Sequence, residues 1–417
     1  MTEKRKNKGN FPNLRFPGFE GKWEVNKLGD LLEFKNGINA SKEQYGKGVK
    51  FINVLDILNN DFITYENIVG KVDVDTNIIE RFSVQYGDIL FQRSSETREE
   101  VGTANVYLDK TKNATFGGFV IRGRKIGDYN PIYFNKLLKT SSARDSITSK
   151  SGGSTRFNIG QEILSSIVLY FPSLLEQQKI ASFLSLLDER ILSQKKIIEE
   201  LKLFKNTIVK KLFLQQLRFK NENGNDFPDW EVKKLEEIFY SEKGSGISKN
   251  KIIENGKYEC VLYGELYTKY NEVISEVVSK TNIQEGIKSK IGDILIPSST
   301  TTTGIDLANV TALNKENVLL GGDITVLRSN GKINNVFYAY YLSNHKKNEI
   351  ASYAQGSTIV HLYYSHIKNM DIDFPCLEEQ NKIADFLCSL DKKNNSENDL
   401  LAQYKKQKNY LLNNLFI

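Results

Sequence analysis

The chain has 417 residues, 40% hydrophobic and 11% aromatic, enough for packed cores in two to four domains. A net charge of +6 and a pI of about 8.8 permit nucleic-acid contact without requiring it, since a mildly basic enzyme has the same balance. No apolar run reaches the roughly 18 residues that span a bilayer. The basic start (Lys4, Arg5, Lys6, Lys8) is followed by no apolar stretch, so it reads as a frayed tail and not a secretion signal. Cys260, Cys376 and Cys388 form no C-x-x-C pair and read as reduced thiols of a soluble, cytoplasmic protein.

After a tail over 1–22, residues 23–172 form a β-rich block. Its strand candidates are Phe51-Ile52-Asn53-Val54, Asp88-Ile89-Leu90-Phe91, Phe119-Val120-Ile121-Arg122 and Ile167-Val168-Leu169-Tyr170, separated by Gly, Asn and Asp clusters. Asn130-Pro131 predicts a helix start, with Asn as N-cap and Pro in the first turn. Residues 173–220 are helical. From Glu176 no Gly or Pro occurs until Gly224, and apolar residues step by three and four through Ile180, Leu184, Leu187, Ile191, Ile198, Leu201, Ile208 and Leu212. Gln194 and Lys205 interrupt this coiled-coil seam. A helix of about 40 residues would be about 60 Å long.

Residues 221–375 repeat the β-rich plan, with strand candidates Cys260-Val261-Leu262-Tyr263, Asp293-Ile294-Leu295-Ile296 and Ile324-Thr325-Val326-Leu327, and helical patterning from Val336 to His345. Residues 376–417 repeat the seam through Ile383, Leu387, Leu390, Leu401, Tyr404, Leu411 and Leu415, interrupted at Asn394, Glu397 and Lys408. Neither stripe is buried by its own helix. Mutual antiparallel pairing is the economical solution; separate partner proteins are the other.

The chain is thus written twice. Trp23-Glu24-Val25 returns as Trp230-Glu231-Val232, and Gly87-Asp88-Ile89-Leu90 as Gly292-Asp293-Ile294-Leu295. Phe171-Pro172 with Glu176-Gln177 and Ile180-Ala181-Ser182-Phe183-Leu184 returns as Phe374-Pro375 with Glu379-Gln380 and Ile383-Ala384-Asp385-Phe386-Leu387. One spacing of about 200 residues means duplication, since a solenoid repeats every 20–50 or so. The fold class expected is α/β (α+β): two β-rich domains, two long antiparallel coiled-coil helices and an internal pseudo-twofold duplication.

These anchors, with Leu14-Arg15-Phe16-Pro17-Gly18-Phe19 and the pair Gly153-Ser154-Thr155 and Gly356-Ser357-Thr358, resemble the specificity subunit of type I restriction–modification enzymes over nearly the whole chain. The family's usual Pro-Leu at the helix starts is altered here to Ser173-Leu174 and Cys376-Leu377. The resemblance implies that 23–172 and 221–375 are target-recognition domains, each reading half of a split double-stranded DNA sequence. It implies that 173–220 and 376–417 are conserved helical regions docking two methyltransferase subunits, with restriction/translocase subunits joining through the complex. S-adenosylmethionine, ATP and Mg would serve those partners, and this chain would hold no cofactor and perform no chemistry.

Several segments imitate catalytic motifs. Asn130-Pro131-Ile132-Tyr133 is similar to the Asn-Pro-Pro-Tyr of adenine methyltransferases, but its duplicate is Asn335-Val336-Phe337-Tyr338 and no Gly-rich cofactor turn precedes it. Asp229 and Glu231-Val232-Lys233 imitate a nuclease metal site, yet two carboxylates so close on one segment do not converge on one ion, and the other copy ends in Asn26. His361 and His366 are five apart, not the four that suits zinc on a helix, so no metal site is expected. No phosphate-binding loop of the G-x-x-x-x-G-K-[ST] form occurs.

Binding chemistry remains. Gln92-Arg93-Ser94-Ser95 and Arg98 follow one Gly-Asp-Ile-Leu strand; Ser298-Ser299-Thr300-Thr301 follow the other. Such loops present hydroxyls and guanidinium to phosphates and base edges, although an ordinary solvated loop has the same composition. Ser154-Thr155-Arg156 and Gln355, Ser357 and Thr358 flank glycines that let backbone approach a phosphate. Arg156 suits guanine and Gln355 adenine. The alternatives are a coiled-coil protein-binding scaffold with globular ends, or a self-contained DNA methyltransferase or nuclease.

Overall fold

The computed structural model describes residues 10–329 and 331–417, so the basic run Lys4–Lys8 lies outside it. Contacts divide the chain into two units: one runs to Lys195 and takes back Asp399–Ile417, the other is Lys196–Asn398. Each long helix, Leu174–Phe213 and Leu377–Asn414, contributes to both.

In the first unit a four-stranded antiparallel sheet runs in the order Leu32–Asn36, Val120–Lys125, Ile89–Gln92, Ala104–Val106. A second sheet orders Lys71–Val72, Tyr45–Ile52 and Thr115–Phe116, and Glu24–Lys27 pairs with Val168–Phe171 to close the domain. The second unit repeats this plan with an extra edge strand: Phe239–Lys243, Ile324–Ser329, Asp293–Pro297, Thr311–Leu313, Val273–Ile274. Its smaller sheet orders Ser279–Thr281, Tyr258–Val261 and Leu319–Leu320, and Glu231–Lys234 pairs with Asp371–Phe374.

The repeated motifs are architectural. Gly87 and Gly292 adopt φ of 91° and 93°, a left-handed turn suited to glycine, just before the central strand. The following aspartate is buried and locks that turn. Asp88 accepts from the Gln85 and Lys125 N–H groups at 2.9 and 3.2 Å. Asp293 accepts from the Lys290 N–H at 2.9 Å and from the Arg328 guanidinium at 2.9 and 3.1 Å. Burial raises the Asp88 carboxyl above its ordinary value, against these N–H groups and Arg124.

The Glu-Gln pair at each helix start ties the helix to its domain. Gln177 donates to the Pro172 carbonyl at 3.0 Å and accepts from the Asn130 N–H at 2.9 Å; Gln380 does the same with Pro375 and Asn334 at 2.8 and 2.9 Å. Glu176 and Glu379 each take a forked arginine, Arg15 at 2.8 and 2.7 Å and Arg218 at 3.1 and 2.9 Å. The segment 10–22 is therefore tethered at Arg15, although most of it is exposed, and the Leu14 N–H caps the C-terminal helix at Asn414 O, as the Leu217 N–H caps the first at Lys211 O.

The seams pair antiparallel within each unit. Ile180, Leu184, Leu187, Ile191 and Ile198 are buried, as are Ile383 and Leu387, while Leu201, Ile208, Leu390, Leu401, Tyr404 and Leu411 are half-buried. In the first unit Leu184 shares a core with Leu415 and Phe416, and Asp188 meets Lys408 at 2.6 Å. In the second Leu212 shares a core with Ile383 and Leu387, and Lys205 meets Asp391 at 2.7 Å. The lysines that interrupt the seams are thus cross-helix ion-pair partners. Lys136 also bonds Asp188, and Tyr340 bonds Asp391. Burial pushes the Asp188 carboxyl up, but Lys136 and Lys408 outweigh it and hold it below the usual range.

Two predicted strands end early. Asn53 and Leu262 turn the chain, and Val54–Leu58 and Glu265–Thr268 are helical. In each case a buried acid three residues on, Asp56 or Glu265, accepts the backbone N–H of the turning residue at 2.7 and 2.9 Å. That bond outweighs the strand preference of the β-branched and aromatic side chains. Asn130 caps its helix as expected, accepting from the Ile132 and Tyr133 N–H groups at 3.0 Å.

Candidate nucleic-acid interface

The structure joins the two polar loops of each domain. Ser94–Ser95 pairs antiparallel with Phe157–Asn158, and Ser299–Thr300 with Val360–His361. Beyond each short ribbon lies a hairpin. Gly152 and Asn158 exchange N–H···O bonds of 3.0 and 2.8 Å; Gln355 and His361 exchange bonds of 2.9 and 2.7 Å. At both tips a glycine is required. Gly153 and Gly356 have φ of 119° and 121°, and a Cβ on either would lie 2.1 Å from the carbonyl oxygen three residues on. Ser154, Thr155 and Arg156, and Ser357, Thr358 and Ile359, are consequently held out in solvent.

The candidate residues divide by direction. Arg93, Arg98, Ser154, Thr155, Arg156, Thr301, Gln355, Ser357 and Thr358 are exposed, and Ser94 is half-buried. Arg98 is turned back onto the Thr148 and Ser149 carbonyls at 3.1 and 3.2 Å. Gln92, Ser95, Ser298, Ser299 and Thr300 are buried and bonded internally. Gln92 donates to Ser94 O, Ser95 to Glu100, Ser298 meets Thr325, Ser299 donates to Asp323 and Thr300 meets Thr302, at 2.8–3.2 Å. These five hold the ribbon and do not present it, because their polar atoms are spent on internal partners.

Two further residues lie beside the ribbons: Phe119, which the sequence offers only as a strand residue, and Asp323, which the sequence reading passes over. Gly117-Gly118-Phe119-Val120 and Gly321-Gly322-Asp323-Ile324 occupy matching places, and their recurrence was the available signal. The Arg93 N–H donates to Phe119 O at 2.9 Å, and the Ser298 N–H to Asp323 O at 2.7 Å. The Arg156 guanidinium lies 6.0 Å from the Phe119 ring centre. In the second unit His361 stacks on the exposed Tyr363, with ring centres 5.6 Å apart.

The catalytic imitations have structural roles or none. Asn130 is a helix cap, Glu231 pairs with its neighbour Lys233 at 3.0 Å, and Asp229 projects into solvent. Among the described residues no group of three or more His, Cys, Asp or Glu is placed to hold a metal ion, and no helix is long and apolar enough to cross a membrane. Cys260, Cys376 and Cys388 are free thiols, and burial pushes that of Cys260 up to about 11.

The chain matches the model of the type I restriction modification DNA specificity domain twice, over residues 20–203 and 228–406. It is 27% identical over 379 residues to the type I restriction enzyme MjaIX specificity subunit of Methanocaldococcus jannaschii, covering 85% of this chain and 83% of that one. The crystal structure of a type I restriction-modification S subunit from M. genitalium superposes with a TM-score of 0.56 at 18% identity, covering 97% of this chain and 99% of the other. The HsdS subunit of Thermoanaerobacter tengcongensis gives 0.52 at 15% identity, with 99% of each chain covered. Two matched domains, repeated in sequence and in sheet order, place this chain in the family of type I restriction–modification DNA specificity subunits, whose work is recognition of the DNA target.

Proposed function

We propose that the chain reads a bipartite double-stranded target, one half-site per domain, through the ribbon and hairpin of each. The observation that carries this is one backbone device with two different sets of outward side chains: Arg156 and Phe119 in the first unit, Ile359 and Asp323 in the second. Arginine and hydroxyls position the phosphate backbone, and base-edge contacts add the sequence preference. The chain is itself non-catalytic. Methyl transfer from S-adenosylmethionine and ATP- and Mg-dependent cleavage belong to two methyltransferase subunits docked on the outer helix faces and to restriction subunits recruited through them, in the cytoplasm.

The test is a methylation map. Assemble the chain with its methyltransferase subunits, methylate a pool of randomised duplexes and sequence the modified sites. A split target is expected, and replacing 23–172 with the matching block of a relative should rewrite one half only. A contiguous target, or a swap that rewrites both halves, would defeat the proposal. Methyl transfer by the purified chain alone would defeat its non-catalytic part.

A further inference from the structure

We propose that Phe119 and Asp323 are specificity-determining residues: Phe119 packs on the methyl group of a thymine, and Asp323 accepts a hydrogen bond from the exocyclic amino group of a cytosine, each in its own half-site. The inference rests on the DNA-reading role argued above and names side chains that carry it.

The two positions are the same place in the fold. Each follows a Gly-Gly pair, immediately precedes the strand beside the central one, and offers its carbonyl to the residue just before the ribbon. The first glycine of each pair is closely approached: a Cβ on Gly117 would lie 3.0 Å from the Phe51 ring, and one on Gly321 would lie 3.0 Å from Val261 O. The backbone is therefore held closely there, while the side chain two residues on reaches towards solvent.

Phe119 is costly there for an ordinary surface: it is 61% exposed, although its ring would gain by burial. Asp323 is held at φ 59°, a left-handed turn that aspartate visits more readily than most residues other than glycine and that directs its carboxylate to the edge of the ribbon. Its carboxylate is oriented by the Ser299 hydroxyl at 3.2 Å and lies 3.9 Å from Lys243, which moderates its repulsion of phosphates. A carboxylate has about four acceptor sites, so capacity remains. Both residues border a concavity: about 210 Å³ lined by Asn53, Leu55 and Phe119, and about 790 Å³ lined by Leu262, Tyr263, Tyr267 and Asp323.

The base assignments follow from groove chemistry. In the major groove the thymine methyl is the apolar feature a phenyl ring can cover. An ionised carboxylate only accepts, so it selects an amino group. Cytosine suits it better than adenine, whose N7 acceptor beside the amino group would face the second carboxylate oxygen.

The experiment uses the assembled complex with its methyltransferase subunits, S-adenosylmethionine and the randomised duplex pool. Asp323→Asn should shift one cytosine position of one half-site towards adenine, because an amide donates and accepts, and the preference for cytosine should fall on the order of ten-fold or more. Asp323→Gly keeps the left-handed backbone without a side chain; it should make the same position degenerate, and it serves if the Asn variant folds poorly. Phe119→Ala should relax a thymine position in the other half-site only. Variants that keep the wild-type map, or that weaken a whole half-site evenly, would overturn the inference while bipartite reading stands. A wild-type complex without sequence preference would remove that reading and the inference with it.

Discussion

Arg218→Ala should unfold the second unit far more easily than the loss of a surface charge would. Glu379 is fully buried, and Arg218 is 21% exposed. The substitution removes guanidinium bonds to Glu379 at 3.1 and 2.9 Å and to the Phe227 and Pro228 carbonyls at 3.2 and 2.7 Å. The carboxylate then keeps the Trp230 indole N–H at 2.8 Å. Stranding a buried charge in this way costs about 3–5 kcal/mol. For a unit of this size that lowers the melting temperature by on the order of 10 °C. The assay is thermal unfolding of the full chain, followed by calorimetry. The double variant Arg218→Met with Glu379→Gln should lose less than Arg218→Ala, since no charge is then left unpaired and Gln still accepts from Trp230. Arg15→Ala should cost the first unit at least as much, because the Trp23 indole does not bond Glu176 as Trp230 bonds Glu379. A melting temperature within about 2 °C of wild type for Arg218→Ala would refute the account of the clamp.

Leu184→Ala, at a fully buried seam position, should cost about 2–5 kcal/mol by leaving a cavity, read from denaturant midpoints. Asp188 has a depressed folded pKa, so its contribution is complete above the unfolded value of about 3.9 and is lost as pH falls through the lower folded value. Asp188→Asn should therefore be less stable near neutrality and lose less further stability below about pH 4, checked by urea midpoints across a pH series. Gly356→Ala, whose Cβ would lie 2.1 Å from Ile359 O, should distort one hairpin and weaken one half-site while the melting temperature changes little, read by DNA titration beside a melt. Arg156→Ala should lower the slope of log affinity against log salt by about one if the guanidinium meets a phosphate, measured by titration at several salt concentrations.

The helices were the most legible part, because their seams run unbroken by Gly or Pro and burial follows the stepping of Ile180, Leu184 and Leu187. The Asn130 cap was legible for the same local reason. Strand ends at Asn53 and Leu262 were not, because the deciding bonds come from Asp56 and Glu265, whose side chains alone do not announce a turn. Polar loops were legible as polar, but not as partners: Ser95 meets Phe157 across a long stretch of chain, and nothing local encodes that register. Direction was also hidden. In a two-residue strand the sequence does not say whether a hydroxyl points out, so Ser95 and Thr300 resembled Thr155 and Thr358 until their neighbours were placed. The buried role of the seam lysines was likewise unreadable, since Lys205 and Lys408 look like interruptions without Asp391 and Asp188 beside them.

Duplication separates what the fold needs from what the target sets. Where a side chain holds the frame, both copies keep its chemistry: Asp88 and Asp293 in the turn, Gln177 and Gln380 at the helix start, Arg15 and Arg218 in the clamp. Where a side chain leaves the same backbone towards solvent, the copies part: arginine against isoleucine at Arg156 and Ile359, phenylalanine against aspartate at Phe119 and Asp323. Relaxed packing alone would let exposed positions drift towards ordinary solvated residues. It would not favour an exposed phenylalanine at one copy and a left-handed aspartate at the other, both beside a ribbon whose remaining hydroxyls are turned inward to hold it rigid. A rigid support with dissimilar side chains at its edge is what base discrimination demands, because preorganisation limits the entropy lost on binding and an acceptor or an apolar ring must meet one feature of one base.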